Sequence, residues 1–274
     1  MLIRLSHLTE LVDICEGMLE RSSKASLSTL RSYYGHGFFE KATLHGRSIV
    51  TLVEGFRAET PSYDIAGVCT LSRCVIEVHN AFAYLLERGL SHDEWELRQQ
   101  LFLLNHAADL KKINTEIGIK TSDDRFFFNN VSHRWALKAL EQNPIFKSLD
   151  AAHRKTLLRG KSPYLAARYK GKKPLPQNIE SAAYKLFSHN VHSYSLGLSP
   201  LRGGQETPAG GLNMLVLAIE LTILYLATIA KDYWRLRSRA IHTLSKGEKK
   251  FPSDSASSAI VEQWLTKMMR NGRL

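Results

Sequence analysis

The chain has 274 residues, 44% apolar and 23% charged, with 37 Lys and Arg against 26 Asp and Glu for a net charge of +11. That length holds one large domain or two small ones with a full hydrophobic core, and the ordinary composition excludes a chain disordered throughout. Three cysteines, Cys15, Cys69 and Cys74, form no C-x-x-C pair; the odd count argues against a disulfide framework, and buried free thiols are expected.

Residues Met1 to His7 carry no apolar run long enough for a secretory signal, so a cytoplasmic setting is the expectation. From there helical periodicity dominates, with no alternating series or hairpin signal, and the fold class expected is an all-α, multi-helix bundle with long central helices. The first helix runs from about Leu5 to Arg21 and the second from about Gly37 to Phe56. Pro61-Ser62 breaks the chain before a long helix that reaches Arg88, with Gly89 at its C-cap. Ser91 and Glu94 form a capping box for the next helix, which runs to about Gly118. Ser122-Asp123-Asp124 opens another, which ends near Asn143-Pro144.

Shorter basic pieces follow. Asp150 to Arg159 is a helix closed by Gly160, and Ser162-Pro163 reads as an N-cap with Pro at the first helical position. Gly171 to Pro176 is a loop, Ile179 to Leu196 a helix, and Ser199 to Gly211 a second loop. Leu212 to Arg239 is helical, Ser245 to Ser258 reads as a polar linker, and Ala259 to Arg270 as a final amphipathic helix. The domain organisation expected is a bundle over residues 1–245, then a linker and C-terminal helix over 246–274. That last helix is a candidate dock for a protein partner or for a second copy in a homodimer.

Leu212 to Ala230 is almost wholly apolar and could be mistaken for a membrane span. Glu220 stands at its centre, where a carboxylate costs roughly 2.5–3.5 kcal/mol on insertion scales. A buried central helix fits better, so no membrane span is expected.

Charge is unevenly placed. Between Arg134 and Lys173 there are eleven basic and two acidic residues, a net +9, and from Lys231 to Leu274 ten basic and four acidic, a net +6. Such a footprint points to a phosphate-bearing partner, RNA before DNA, although a solvated face with no specific partner has the same composition. The candidate nucleic-acid contacts are Arg154, Lys155, Arg159, Lys161, Arg168, Lys170, Lys172 and Lys173.

Two helices carry polar rows. On the third, Thr70, Arg73, Glu77, Asn80 and Tyr84 line up at helical spacing while Leu71, Val75, Val78, Phe82, Leu85 and Leu86 fall opposite. Such a row either faces a cleft or pairs inside the bundle, and a structural Arg73–Glu77 ion pair is the plain alternative to a site. On the helix from Ile179, Ser188, His192 and Ser195 share a face. His192 is a candidate acid/base group because its ordinary pKa is near neutrality. A hydrogen-bonded structural histidine is the plain alternative.

Leu71-Ser72-Arg73-x-x-x-Glu77 followed by Ser188-x-x-x-His192 resembles an uncharacterised all-helical bacterial family. That family is a domain of unknown function described by an R-x-x-x-E helix and an S-x-x-x-H helix. The resemblance covers roughly residues 30–240 and implies fold more than activity. It implies that Arg73, Glu77, Ser188 and His192 converge, and Glu220 is the candidate fifth member. A second similarity is to HEPN-type ribonucleases, whose R-x(4–6)-H signature looks like Arg73 to His79 and Arg31 to His36. In that family His performs acid/base chemistry on the RNA 2′-OH and Arg holds the phosphate. This chain departs from it: His79 falls off the Arg73 face, and Cys74 replaces the usual polar residue after the Arg.

Gly160-Lys161-Ser162 ends like a phosphate-binding loop, but Lys155 stands where its first glycine belongs and no strand precedes it. Zinc-ligand spacings, EF-hand loops and nucleophile elbows are missing, so neither a metal nor a cofactor is expected. Three functions are therefore weighed. The first is an RNA-directed effector, a metal-independent ribonuclease of a bacterial defence or toxin system with Arg73, Glu77, His192, Ser188 and Glu220 at its centre. The others are a non-catalytic adaptor for nucleic acid or protein, and a membrane-perturbing effector using Leu212 to Ala230.

Overall fold

The computed structural model describes residues 2–27, 29–55, 64–119, 133–165, 169, 171, 173–191 and 208–270. It is all-α: α1 Leu2–Ser23, α2 Leu30–Gly55, α3 Ile65–Leu85, α4 His92–Glu116, α5 His133–Gln142, α6 Pro144–Ser148, α7 Ala151–Leu157, α8 Gln177–Val191, α9 Pro208–Leu236, α10 Lys246–Ser255 and α11 Ala259–Arg270. Among the described residues there is no strand. The chain divides into two compact units, Met1–Phe82 with Lys172–Leu274, and Ala83–Gly171.

The first unit is built around α9. Leu217, Ala218, Ile219, Leu221, Leu224, Tyr225, Leu226, Ala227, Ile229, Ala230 and Tyr233 are all buried, so this helix is apolar around most of its circumference because it has neighbours on most sides. By length and composition Leu212–Leu236 could cross a membrane, but 72% of its most apolar window is buried inside the protein, as in a core helix. The 3–4 spacing of Leu5, Leu8, Leu11, Val12, Cys15 and Met18 turns one face of α1 toward it, and Phe39, Ala42, Gly46, Ile49 and Val53 do the same for α2. At Gly46 these three helices approach one another closely. A Cβ there would meet Val12 Cγ2 at 3.0 Å and Leu226 Cδ2 at 3.1 Å.

The C-terminal end of α1 is closed from a distance. Arg237 donates from Nη2 to the carbonyls of Ser22 (3.3 Å) and Ala25 (3.1 Å), and from Nη1 to that of Ser26 (3.1 Å). These carbonyls stand at and just beyond the end of the helix, where a guanidinium complements the negative end of its dipole. Tyr233 hydroxyl donates to Ser22 Oγ at 2.5 Å and is hydrogen-bonded to His36 Nδ1 at 2.8 Å, which ties α2 into the same knot.

The second unit packs α5, α6 and α7 on α4 through Leu97, Leu101, Leu104, Ala136, Leu140, Phe146 and Leu157. Asn143 both ends α5 and opens α6. Its Oδ1 accepts from Ile145 and Phe146 N–H, and its Nδ2 donates to Asp93 O at 2.9 Å. Arg98, only 1% exposed, donates to Glu94 Oε1 (2.9 Å), Glu87 Oε2 (2.6 Å) and Tyr84 O (2.6 Å), and its guanidinium lies 4.5 Å from the centre of the Tyr84 ring. A buried guanidinium needs this density of acceptors.

Several expectations are corrected. The polar stretch from Ser245 is no linker: Ser245 and Glu248 form a complete capping box that starts α10, and Pro252 sits inside that helix. Pro, Gly and Ser content suggested a linker, but the cap sets the local structure. Ser162 does not begin a helix; its Oγ accepts from Tyr164 N–H at 3.3 Å in a local turn, and residues 161–165 are non-helical. Helix α2 starts seven residues earlier than Gly37, and α9 starts at Pro208, inside the expected loop. Ser122 to Asp124 and the expected extension of α8 to Leu196 lie outside the described residues.

Candidate functional site

On α3 and α8 two rows of side chains meet. Arg73 Nε donates to Glu77 Oε1 at 3.1 Å and Nη2 donates to Tyr184 hydroxyl at 2.7 Å, while Tyr184 donates to the same Glu77 oxygen at 2.6 Å. The guanidinium also lies 4.5 Å from the Tyr184 ring centre. One turn along, Glu180, the residue four before Tyr184, accepts from Tyr225 hydroxyl at 2.7 Å and Lys173 Nζ at 2.8 Å. Asn80 Nδ2 reaches the same carboxylate at 3.5 Å. Arg73 thus faces Tyr184 and Asn80 faces Glu180, so the two helices run antiparallel. Regular i,i+3 and i,i+4 spacing on both explains why the rows interlock.

The two ends of this seam differ. Glu180 is buried; burial and the Glu180 carboxylate together hold the Tyr225 phenol protonated far above its ordinary range. At the other end the Glu77 side chain is 47% exposed. Burial, then the Glu77 carboxylate, raises the Tyr184 phenol; burial alone would lower the Arg73 guanidinium, but Tyr184 and Glu77 outweigh it and raise it. The open end is therefore a charged, hydrogen-bonding surface.

Of the five residues expected to converge, the structure brings Arg73 and Glu77 together. Ser188 lies one turn beyond Tyr184 and donates its Oγ to the Tyr184 carbonyl at 2.7 Å. His192 lies outside the described residues. Glu220 is engaged elsewhere: 4% exposed, it receives two parallel hydrogen bonds from Arg4 Nε and Nη2, and none of its partners belongs to the Arg73 row. A carboxylate in an apolar helix needs a cation, and α1 supplies it. Sequence reasoning also missed Tyr184 and Glu180. The spacing of Glu180, Tyr184 and Ser188 was the available signal.

Arg4 also donates Nη1 to His7 Nδ1 at 2.7 Å, and His7 Nε2 lies 3.0 Å from Ser255 Oγ. Because a guanidinium only donates, Nδ1 must accept, so the neutral ring carries its proton on Nε2 and donates it to Ser255. The His7 pKa is lowered by burial and by Arg4. A general base for Ser255 would need a free Nε2 lone pair, so this pair is not arranged for nucleophilic catalysis. These residues border a partly enclosed pocket of about 270 Å³ with apolar walls that include Ile223, Leu224 and Val261.

His79 is 3% exposed, T-stacked on Tyr225 with ring centres 5.0 Å apart, and burial lowers its pKa to about 4. It belongs to the core and is not turned to solvent with Arg73. His36, the other histidine of the ribonuclease-like spacing, is hydrogen-bonded to Tyr233.

The expected phosphate contacts divide between the units. Arg154 is half-buried and Lys155, Arg159 and Lys161 are exposed, all in the second unit, and none forms an ion pair among the described residues. Lys173 belongs to the first unit and is held by Glu180. Arg168, Lys170 and Lys172 lie outside the described residues. Among the described residues no group of three or more His, Cys, Asp or Glu could hold a metal ion.

No known protein family, curated protein or solved structure matches the chain. The fold and its polar clusters define an all-α helical bundle in two compact units.

Proposed function

We propose that this protein is an RNA-directed, phosphate-binding helical protein whose principal contacts are the cations of the second unit. The observation that carries the reading is their state of pairing. Arg134, Lys138, Lys147, Arg154, Lys155, Arg159 and Lys161 have no ion-pair partner among the described residues. Arg4, Arg47, Arg73 and Arg98 are each held by one or more carboxylates. Unpaired cations along one stretch of chain are open to phosphates and release counterions when they bind them. A cytoplasmic setting belongs to the same reading, supported by three free cysteines. The test is fluorescence anisotropy with labelled RNA between 50 and 200 mM salt, conditions that span about 10³–10⁵-fold in affinity for a protein making 6–10 phosphate contacts. Lys155→Glu with Arg159→Glu should weaken binding and flatten the salt slope. Binding that ignores salt would overturn the proposal.

A catalytic extension is favoured by one observation, the open Arg73–Glu77–Tyr184 cluster with Ser188 one turn further along α8. In that reading a phosphate displaces Glu77 from Arg73, and His192 serves as the acid/base group. Cleavage of RNA without metal, lost in His192→Ala at unchanged helicity, supports it. Cleavage undiminished in that variant removes His192 from the mechanism.

A further inference from the structure

The residues that line the pocket beside Arg4 and His7 all belong to the first unit and come from α1, α9, α10, α11 and the turn between the last two. Its apolar lining is Ile223, Leu224, Phe251, Ile260 and Val261. At about 270 Å³ it falls just short of the roughly 300–1,000 Å³ of sites for drug-sized ligands, so it suits a smaller occupant. Its charged lining is Arg4, Glu220 and Asp254. Arg4 and Glu220 offset one another, and His7, whose pKa is lowered by burial and by Arg4, is neutral at neutral pH. That leaves the Asp254 carboxylate, which has no ion-pair partner among the described residues. Asp254 stands in the last turn of α10, where the negative end of the helix dipole disfavours a carboxylate, so folding alone does not account for it. Glu220 adds a second signal. It is 4% exposed, and among the described residues it accepts only the two hydrogen bonds from Arg4, about half of what a carboxylate can take.

We propose that this pocket binds a small primary amine with an apolar body. The ammonium pairs with Asp254, and because it only donates hydrogen bonds it also suits the unused acceptor sites of Glu220. The hydrocarbon packs on Ile223, Leu224 and Val261. A carboxylate on the same hydrocarbon meets two acids against one guanidinium, and an alcohol brings no charge to pair. The site is separate from the Arg73 row and from the cations of the second unit, so it does not depend on the RNA-directed reading.

The experiment titrates the full chain, isotope-labelled at its Ile, Leu and Val methyl groups, with hexylamine, hexanol and hexanoate, which carry different head groups on the same kind of short hydrocarbon. At neutral pH hexylamine should shift the methyl resonances of Ile223, Leu224 and Val261 and bind more tightly than hexanol, with hexanoate weakest. Asp254→Asn should weaken hexylamine binding about fivefold, the upper end for an ion pair at an exposed site, and leave hexanol binding unchanged. Asp254→Glu should keep most of the affinity, and thermal melting should show both variants folded. Hexanol or hexanoate binding as tightly as hexylamine overturns the amine assignment. So does an Asp254→Asn variant that binds hexylamine undiminished, or that loses hexylamine and hexanol equally. Methyl resonances of the pocket unmoved by millimolar hexylamine overturn the site itself.

Discussion

Arg4 and Glu220 face one another across 216 positions of sequence, joined by two parallel hydrogen bonds at the edge of the apolar core. The Glu220 side chain is 5% exposed and that of Arg4 22%. Removing one partner strands the other charge, whereas removing both leaves packed hydrocarbon. Glu220→Leu alone should destabilise by about 2 kcal/mol, below the usual cost for a fully buried pair because Arg4 reaches water. Arg4→Met combined with Glu220→Leu should recover most of that loss in urea unfolding. Additive losses in the double variant would show that the pair is not energetically coupled.

Arg98 is the stronger anchor. Its guanidinium serves Glu94, Glu87 and the Tyr84 carbonyl from a position 1% exposed. Arg98→Met keeps the hydrocarbon stem but leaves two carboxylates without their cation, and should cost about 3–5 kcal/mol. Hydrogen exchange in the second unit, α4 above all, should rise accordingly. Unchanged protection would mean that the two glutamates find water or other partners at little cost.

Acid should weaken the fold through its buried histidines. His79 has a pKa of about 4 in the folded chain and an ordinary value of 6.5 when unfolded. Between those values the unfolded chain binds the proton more readily, so stability is fully present above pH 6.5 and falls as pH drops toward 4. At most about 3 kcal/mol is lost by this route. His7, His36 and His45 are lowered in the same direction, so His79→Leu should reduce the slope of stability against pH without abolishing it. Urea midpoints at pH 5 and pH 7.5 measure the change. An unaltered slope would mean His79 reaches solvent.

Gly160 has φ of +62°, and a Cβ there would stand 2.8 Å from Ala108 Cβ and 3.1 Å from the Leu104 carbonyl. Both the left-handed backbone and the close approach exclude a side chain. Gly160→Ala should destabilise by about 1–3 kcal/mol. Gly89, also at positive φ but with open space around it, should tolerate alanine better. Equal melting temperatures for the two variants would contradict the steric part of the argument.

The fold class was readable because 3.6-residue periodicity survives wherever one helix face is buried. Caps were readable where one residue decides them, as Ser91 and Gly160 do. The Ser245 cap was present in the sequence too, but local composition outweighed it. Long-range pairing was less legible. Glu220 announces the need for a cation without saying which of 37 Lys and Arg supplies it, and nothing local singles out Arg4. The Arg73–Glu77 pair was visible at i,i+4, whereas Tyr184 completes it from 111 positions away. A helical wheel sorts residues on one helix and contains no information about the neighbour that helix will meet.

The closure of α1 by Arg237 and its pairing through Arg4 have a consequence for biosynthesis. The partners, Arg237 and Glu220, stand 215 and 216 positions after the residues they hold and emerge from the ribosome that much later. At about 5–20 residues per second, α1 and α2 wait roughly 10–40 s for α9 with their greasy faces uncovered. Ala83–Gly171 completes its own core during that interval. Nascent N-terminal helices are therefore the segment most in need of a chaperone, and slow decoding between Lys172 and Pro208 should raise aggregation without altering the finished molecule.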